Sequence, residues 1–252
     1  LAKEIGVEFH FNQEVTSIRT DNRLAKSVVT TSKNFPGDVI VCNADIHTVY
    51  EKLIPSAKKL KKVDAQERSS SALIFYWGID KKFSELDVHN IMFTEDYKTE
   101  FDHIFESKTI YEDPTVYINI TSKKIKEDAP EGKENWFVMI NVPSVYGQDW
   151  DHMVAIARKN ILTKISRNLG ENIEKYIVFE EKLTPQLIQD KTSSFKGSLY
   201  GTSSNSRFAA FFRHKNFSTQ YKNLYFCGGS VHPGGGIPLA LSSAKIIDKL
   251  IK

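Results

Sequence analysis

Residues 223–245 read NLYFCGGSVHPGGGIPLALSSAK. The apolar run Leu224–Cys227 is strand material, and it enters a turn at Gly228-Gly229. After His232-Pro233 come Gly234, Gly235 and Gly236, then a helix-forming stretch from about Pro238 to Ile251. Glycines strip side chains from a backbone, so that a neighbour can approach it closely. Pro238 suits the first helical position, because the donor it lacks would be unpaired there in any case. The helix N-terminus presents unpaired N–H groups and the positive end of the helix dipole. On physical grounds this is a site for an anion or an electron-rich cofactor, although a structural tight turn has the same spelling. The spacing matches neither GxGxxG nor a P-loop.

A second strand-to-helix junction lies far upstream. Val39-Ile40-Val41-Cys42 is solidly apolar, as expected of a parallel strand buried on both faces. Asn43-Ala44-Asp45 follows as a natural N-cap, and the helix runs through His47, Val49 and Tyr50 to about Leu53, before Pro55. The first residues, LAKEIG, read as the last turns of a helix closed by Gly6, so that something precedes them in the full protein. Val7–Phe11 alternates at period two, Val15–Ile18 forms another run, and Leu24–Thr31 a third strand. Asn12-Gln13, Asp21-Asn22 and residues 34–38 supply turns.

The middle has a different texture. The lysine-rich stretch 58–62 reads as a solvated helix face or a membrane-surface patch. Strands are expected at Ser71–Ile79 (SALIFYWGI), Thr115–Thr121, Trp136–Val142 and Ile177–Glu181, with Thr184-Pro185 as an end signal. Asp149–Leu169 is the strongest helix, with apolar residues at helical spacing and Gly170 as its stop. Residues 191–207, rich in Ser, Gly, Thr and Asn, form a long loop passing over a site. The fold class is α/β (α+β), with the two outer pieces, 1–44 and 218–252, forming one domain that a mixed-sheet domain, 45–217, interrupts.

Composition narrows the function classes. A net charge of +3 is too small for a nucleic-acid face, and no nucleic-acid motif occurs. Cys42 and Cys227 make no CxxC pair and read as reduced, buried thiols of a cytoplasmic protein. The 7 histidines show no metal-ligand spacing, so no metal site is expected. No apolar stretch reaches the roughly 20 residues that cross a bilayer. Aromatics at 12% suit either a sheet core or a site for a large apolar ligand.

The string GGSVHPGGGIPLALSSAK resembles the C-terminal flavin motif of the bacterial carotenoid (phytoene) desaturases, within the amine-oxidase-like flavoproteins. VIVCNAD (39–45), DPTVYINITS (113–122) and APEGKENWFVMINV (129–142) resemble further segments in the same order. The resemblance implies FAD as cofactor and a Rossmann-like FAD-binding domain split between the outer pieces. Its GxGxxG segment belongs nearer the N-terminus than residue 1. Carried over residue by residue, Val15 meets the adenine through its backbone. Gly228 and Gly229, with Ser230, lie along the ribityl–pyrophosphate region, and Gly236-Ile237-Pro238 faces the pyrimidine edge of the isoalloxazine. Many related amine oxidases carry an acidic residue after the strand glycine, to bond the ribitol. Here Gly229 and Ser230 stand there, which puts any one-residue account of ribitol binding in doubt.

The implied substrate is a carotenoid or similar long apolar polyene. Phe75, Tyr76, Trp77, Trp136 and Phe137 either line its tunnel or form sheet core. His232, inside the motif, is the candidate catalytic side chain, and Arg207 and Arg213 are candidate anchors near the loop. Peripheral contact with the inner membrane follows from a lipid-dissolved substrate. The alternatives are a carotenoid isomerase or polyene saturase, or a non-redox binding module like the Rab GDP-dissociation inhibitors.

Overall fold

A computed structural model describes residues 1–58, 61–205 and 213–251. The chain divides into two units, residues 1–67 with 200–252, and residues 68–199.

The first unit opens with a 3₁₀ turn at Lys3–Ile5, closed by Gly6 at φ 91°. Val7–Phe11, expected as a strand, joins no sheet among the described residues and is exposed. Its alternation places Phe9 and Phe11 on one side, where they stack at 5.8 Å. A period-two pattern makes a strand only where a neighbour takes its backbone bonds. β1 (Val15–Asp21) and β2 (Leu24–Thr30) form an antiparallel hairpin. Asn22 and Arg23, both at positive φ, make its two-residue turn with the twist such hairpins prefer. Residues 34–38, expected as a turn, instead contribute β3 (Asn34–Pro36), an edge strand on β2. Pro36 is tolerated because it ends an edge strand.

β4 (Ile40–Cys42) differs from its expectation in burial. Ile40 is buried, whereas Val39 and Val41 are 41% and 47% exposed, so one face only is covered. The helical stretch after it is as expected. The Asp45 carboxylate accepts from His47 N at 2.9 Å, capping Ile46–Thr48, which runs on as a π turn over Val49–Leu53. Ile46, Val49, Tyr50, Leu53 and Ile54 bury against Ile18, Ala25 and Ile40 in one core. Within the lysine-rich stretch, Lys59 and Leu60 lie outside the described residues, and Lys58 and Lys61 are exposed.

The second unit is an antiparallel sheet of β5 (Ser71–Ile79), β6 (His89–Met92), β7 (Val116–Asn119), β8 (Glu134–Val142) and β9 (Ile177–Leu183). Their order is β6-β7-β8-β5-β9. The helix Trp150–Leu169, capped by Asp149 and ended by Gly170 at φ 72°, packs Val154, Ala157, Ile161 and Ile165 into its core. Thr184-Pro185 ends β9 but also starts a helix, Pro185–Thr192. The Thr184 hydroxyl caps it from Leu187 N, and Pro185 takes the first turn. Ile188 of that helix packs on Ala72 and Ile74, covering part of the second sheet face.

The chain returns to the first unit as β10 (Leu224–Phe226), parallel to β4 with Leu224 opposite Ile40 and Phe226 opposite Cys42. The terminal helix, Ile237–Leu250, follows after ten residues of turn and begins one residue earlier than expected.

Candidate functional site

The turn between β10 and the terminal helix is assembled from contacts that lie far apart in sequence. Gly228 holds φ 100°, and a Cβ there would fall 2.3 Å from Asn43 Oδ1, just past β4. Its N–H donates to Ser243 Oγ at 2.8 Å, and that hydroxyl donates in turn to Ala240 O at 2.6 Å. Ser243 is fully buried and ties the first glycine to the terminal helix. Ser230 Oγ accepts from Ile46 N at 3.1 Å, so the turn after β10 also caps the helix after β4. Two parallel strands and the helices following them thus share one junction.

The second half of the turn is compact on one side and open on the other. Gly235 lies under Tyr200, where a Cβ would come within 2.5 Å of the tyrosine Cβ and 2.9 Å of its Cα. No side chain fits there. Gly236, at φ 92°, is the N-cap of the terminal helix and gives it no side-chain hydrogen bond. A Cβ on Gly236 would meet nothing within 4 Å, and Ile237 beside it is 78% exposed. The helix N-terminus therefore faces open space with its first N–H groups uncapped by a side chain. Such a cradle fits an electron-rich ring edge or a phosphate, and a flavin offers both. Among the described residues, no three His, Cys, Asp or Glu side chains gather as a metal site.

The other residues singled out in the sequence are placed as follows. Val15 stands at the exposed start of β1, in the same unit as the glycine turn. The backbone of His232 is pinned on both sides: its N–H donates to His214 O at 2.9 Å and its carbonyl accepts from Asn216 Nδ2 at 2.7 Å. It lines a cleft of about 400 Å³ with Arg213, Asn216, Phe217, Ile246 and Leu250. His214, half-buried between Tyr50 and Phe226, is pushed below its ordinary pKa by desolvation, against a hydrogen bond to Lys215 O. Arg213 is buried beside the turn; Arg207 lies outside the described residues. Of the loop expected at 191–207, Lys191 and Thr192 instead end the helix Pro185–Thr192, and Phe195–Gly197 form a 3₁₀ turn. Residues 206 and 207 lie outside the described residues, and Tyr200 packs on Gly235. Cys42 and Cys227 are free thiols, both raised in pKa by burial.

The aromatic candidates separate by face. Trp77 and Trp136, 2% and 1% exposed, point into the core with Phe75. Their indoles donate to Glu180 at 2.9 Å and Glu134 at 2.8 Å. Tyr76 points the other way and is 40% exposed. On that face the register aligns His89, Asn119, Phe137 and Tyr76 across β6, β7, β8 and β5. Tyr76 and Tyr117 each meet Phe137 edge-on, at 5.6 and 6.3 Å. Tyr117, Tyr200 and Ser243 do not stand out in the sequence as site residues, and Asn43 stands out only as a helix cap. For Tyr117 a signal is available, since it sits at period two from Asn119 in a strand that the sequence itself marks.

A parallel strand pair, each strand leading into a helix, with a glycine cradle at one helix N-terminus, defines a dinucleotide-type cofactor site. The family model for flavin containing amine oxidoreductases matches residues 1–246, and the chain belongs to this family. Its flavin agrees with the FAD expected from the sequence. Over 251 residues the chain is 55% identical to a 1-hydroxycarotenoid 3,4-desaturase from Flavobacterium sp. (strain P99-3), covering 100% of this chain and 51% of that protein. It is 34% identical over 251 residues to a zeta-carotene-forming phytoene desaturase from Myxococcus xanthus, covering 98% and 48% respectively. The chain thus spans about half the length of the curated relatives it matches. A solved oxidoreductase from Methanosarcina mazei shares the fold, with TM-score 0.64 at 15% identity over 98% of this chain and 51% of that one.

Proposed function

We propose that this chain is part of an FAD-dependent carotenoid desaturase, in which the first unit (1–67 and 200–252) cradles the flavin and the second (68–199) faces the substrate. The observation that carries the reading is the uncapped helix N-terminus at Gly236, in a chain 55% identical throughout to a 1-hydroxycarotenoid 3,4-desaturase. Bound there, FAD would supply the oxidising chemistry, an acceptor for the hydride of one of two adjacent substrate carbons while the other gives up a proton. The N–H groups of Ile237 and the residues after Pro238, left without a side-chain cap, would face the pyrimidine edge and stabilise negative charge there. Gly228, Gly229 and Ser230 would line the ribityl–pyrophosphate path and the Val15 backbone the adenine.

The substrate reading rests on the second sheet face. Tyr76, Phe137 and Tyr117 form an aromatic row there, extended by Ile91 and Met139. A polyene has almost no hydrogen-bonding groups, so its binding relies on apolar burial at roughly 25 cal/mol per Å². A lipid-dissolved substrate would be collected by a cytoplasmic protein peripherally at the inner membrane. No helix among the described residues is long and apolar enough to cross one. Incubating the full-length protein with FAD and hydroxylated or unmodified carotenoids, then separating the products, tests the reading. A product with one more conjugated double bond supports it, whereas a geometric isomer or a shortened polyene supports the isomerase or saturase instead.

A further inference from the structure

Arg213 is 5% exposed and lies between two stretches of chain that the flavin cradle brings together. Its Nη1 donates to the carbonyls of Tyr200 at 3.0 Å and Gly229 at 2.9 Å. Its Nη2 donates to Thr202 O at 2.7 Å and to Ser204 Oγ at 3.0 Å. Gly234 lies against the same group: a Cβ there would sit 3.1 Å from Nε and 3.2 Å from Cζ. One planar cation therefore touches segment 200–204 on one side and two points of the turn, Gly229 and Gly234, on the other. Gly235, between those contacts and the helix, is the glycine pressed against Tyr200.

We propose that Arg213 is a positioning residue that clasps segment 200–204 onto the turn and so holds Gly229–Gly236 in the shape that accepts the flavin. This rests on the flavin reading given above. A buried cation is retained only where hydrogen bonds replace its hydration. Here one acceptor, Gly229 O, belongs to the turn itself, while the other three, Tyr200 O, Thr202 O and Ser204 Oγ, belong to the segment clasped onto it. The C=O and N–H of a trans peptide point in opposite directions. Fixing the Gly229 carbonyl on Arg213 thus aims the Ser230 N–H away from the arginine. Four acceptors spread over two terminal nitrogens match a guanidinium fork, and the single nitrogen of a lysine cannot reach them together.

The test is Arg213→Lys in the full-length protein, read by FAD titration of the apoprotein and by the visible spectrum and reduction potential of the bound flavin. FAD affinity should fall at least tenfold, and spectrum and potential should both shift, because the donors facing the ring have moved. Ser204→Ala removes one acceptor at an exposed hydroxyl and keeps the test alive if the lysine variant does not fold. It should weaken FAD two- to threefold without lowering the apoprotein melting midpoint. Wild-type affinity, spectrum and potential in Arg213→Lys, or wild-type affinity in Ser204→Ala, would overturn the proposal. So would an affinity loss that merely tracks lost stability, as calibrated by Trp77→Phe in the other unit. A wild-type protein that binds no FAD would instead overturn the flavin reading itself.

Discussion

Gly235→Ala should damage both the stability of the first unit and its affinity for FAD. The added Cβ would meet Tyr200 Cβ at 2.5 Å, Cδ1 at 2.6 Å and Cα at 2.9 Å. Opening the first of these from 2.5 Å to the 3.4 Å of ordinary packing needs a shift of 0.9 Å. The tyrosine cannot relieve this by rotating its ring, because its Cβ and backbone are in the way. The Tyr200 segment must therefore move, and the 3.0 Å bond from Arg213 to Tyr200 O stretches beyond hydrogen-bonding range. Overpacking of this kind costs about 1–3 kcal/mol, and a lost bond to a charged group about 1.5–3 kcal/mol. Together they come to about 4 kcal/mol, which corresponds to a fall of roughly 8–16 °C in melting midpoint for a protein of this size. Companion variants grade the effect. Tyr200→Ala leaves the side-chain Cβ and the backbone in place and should rescue little. Tyr200→Gly leaves only the backbone clash and should rescue about half. Thermal unfolding of the apoprotein and FAD titration read the series. A Gly235→Ala protein with unchanged midpoint and unchanged FAD affinity would refute the close packing of Tyr200 on the turn.

Other variants probe the remaining assignments. Trp77→Ala should cost about 3–5 kcal/mol in denaturant unfolding, while Tyr76→Ala, on the open face, should leave stability nearly unchanged and raise KM for the polyene. Equal KM values for wild type and Tyr76→Ala would remove that face from the substrate site. Lys164, 3% exposed, donates to Phe93 O, Pro114 O and Asp113, so Lys164→Met leaves all three oxygens short of a donor. Urea unfolding should show a loss of about 3 kcal/mol. His214 has its folded pKa depressed below 6.5 by burial, so the folded protein resists a proton that the unfolded chain accepts. Its contribution is complete above that value and is lost as pH falls below it. Wild type should lose stability from pH 7 to 5.5, and His214→Phe should flatten part of that slope; an unchanged slope would dismiss the neutral, half-buried imidazole.

What is legible in the sequence depends on whether the deciding interaction is local. The helix Trp150–Leu169 and strands β5 and β8 are readable because side-chain periodicity, an Asp cap and a Gly stop all lie within the segment. The glycine turn is readable because glycine, proline and helix start are adjacent. Val7–Phe11 has the alternation of a strand but finds no ladder partner among the described residues, and no local pattern supplies that information. Val39–Cys42 reads as doubly buried from its apolarity, yet Val41 is half exposed, since apolarity does not say how many faces are covered. Thr184-Pro185 carries two meanings at once, a strand end and a helix cap, and the second shows only in the hydrogen bond it makes. The contacts that build the cradle are invisible in sequence because they join distant residues: Ser230 with Ile46, Gly228 with Asn43, and Arg213 with both Tyr200 and Gly229.

The central claim is that a flavin bound at this cradle takes hydrogen from a polyene. It is tested most directly by the visible absorption spectrum of the purified full-length protein, before and after anaerobic addition of a carotenoid. The account predicts oxidised flavin bands that bleach on addition, with a matching red shift in carotenoid absorption as conjugation lengthens. A protein that takes up no flavin after reconstitution with FAD, or whose flavin stays oxidised with every carotenoid offered, would contradict it.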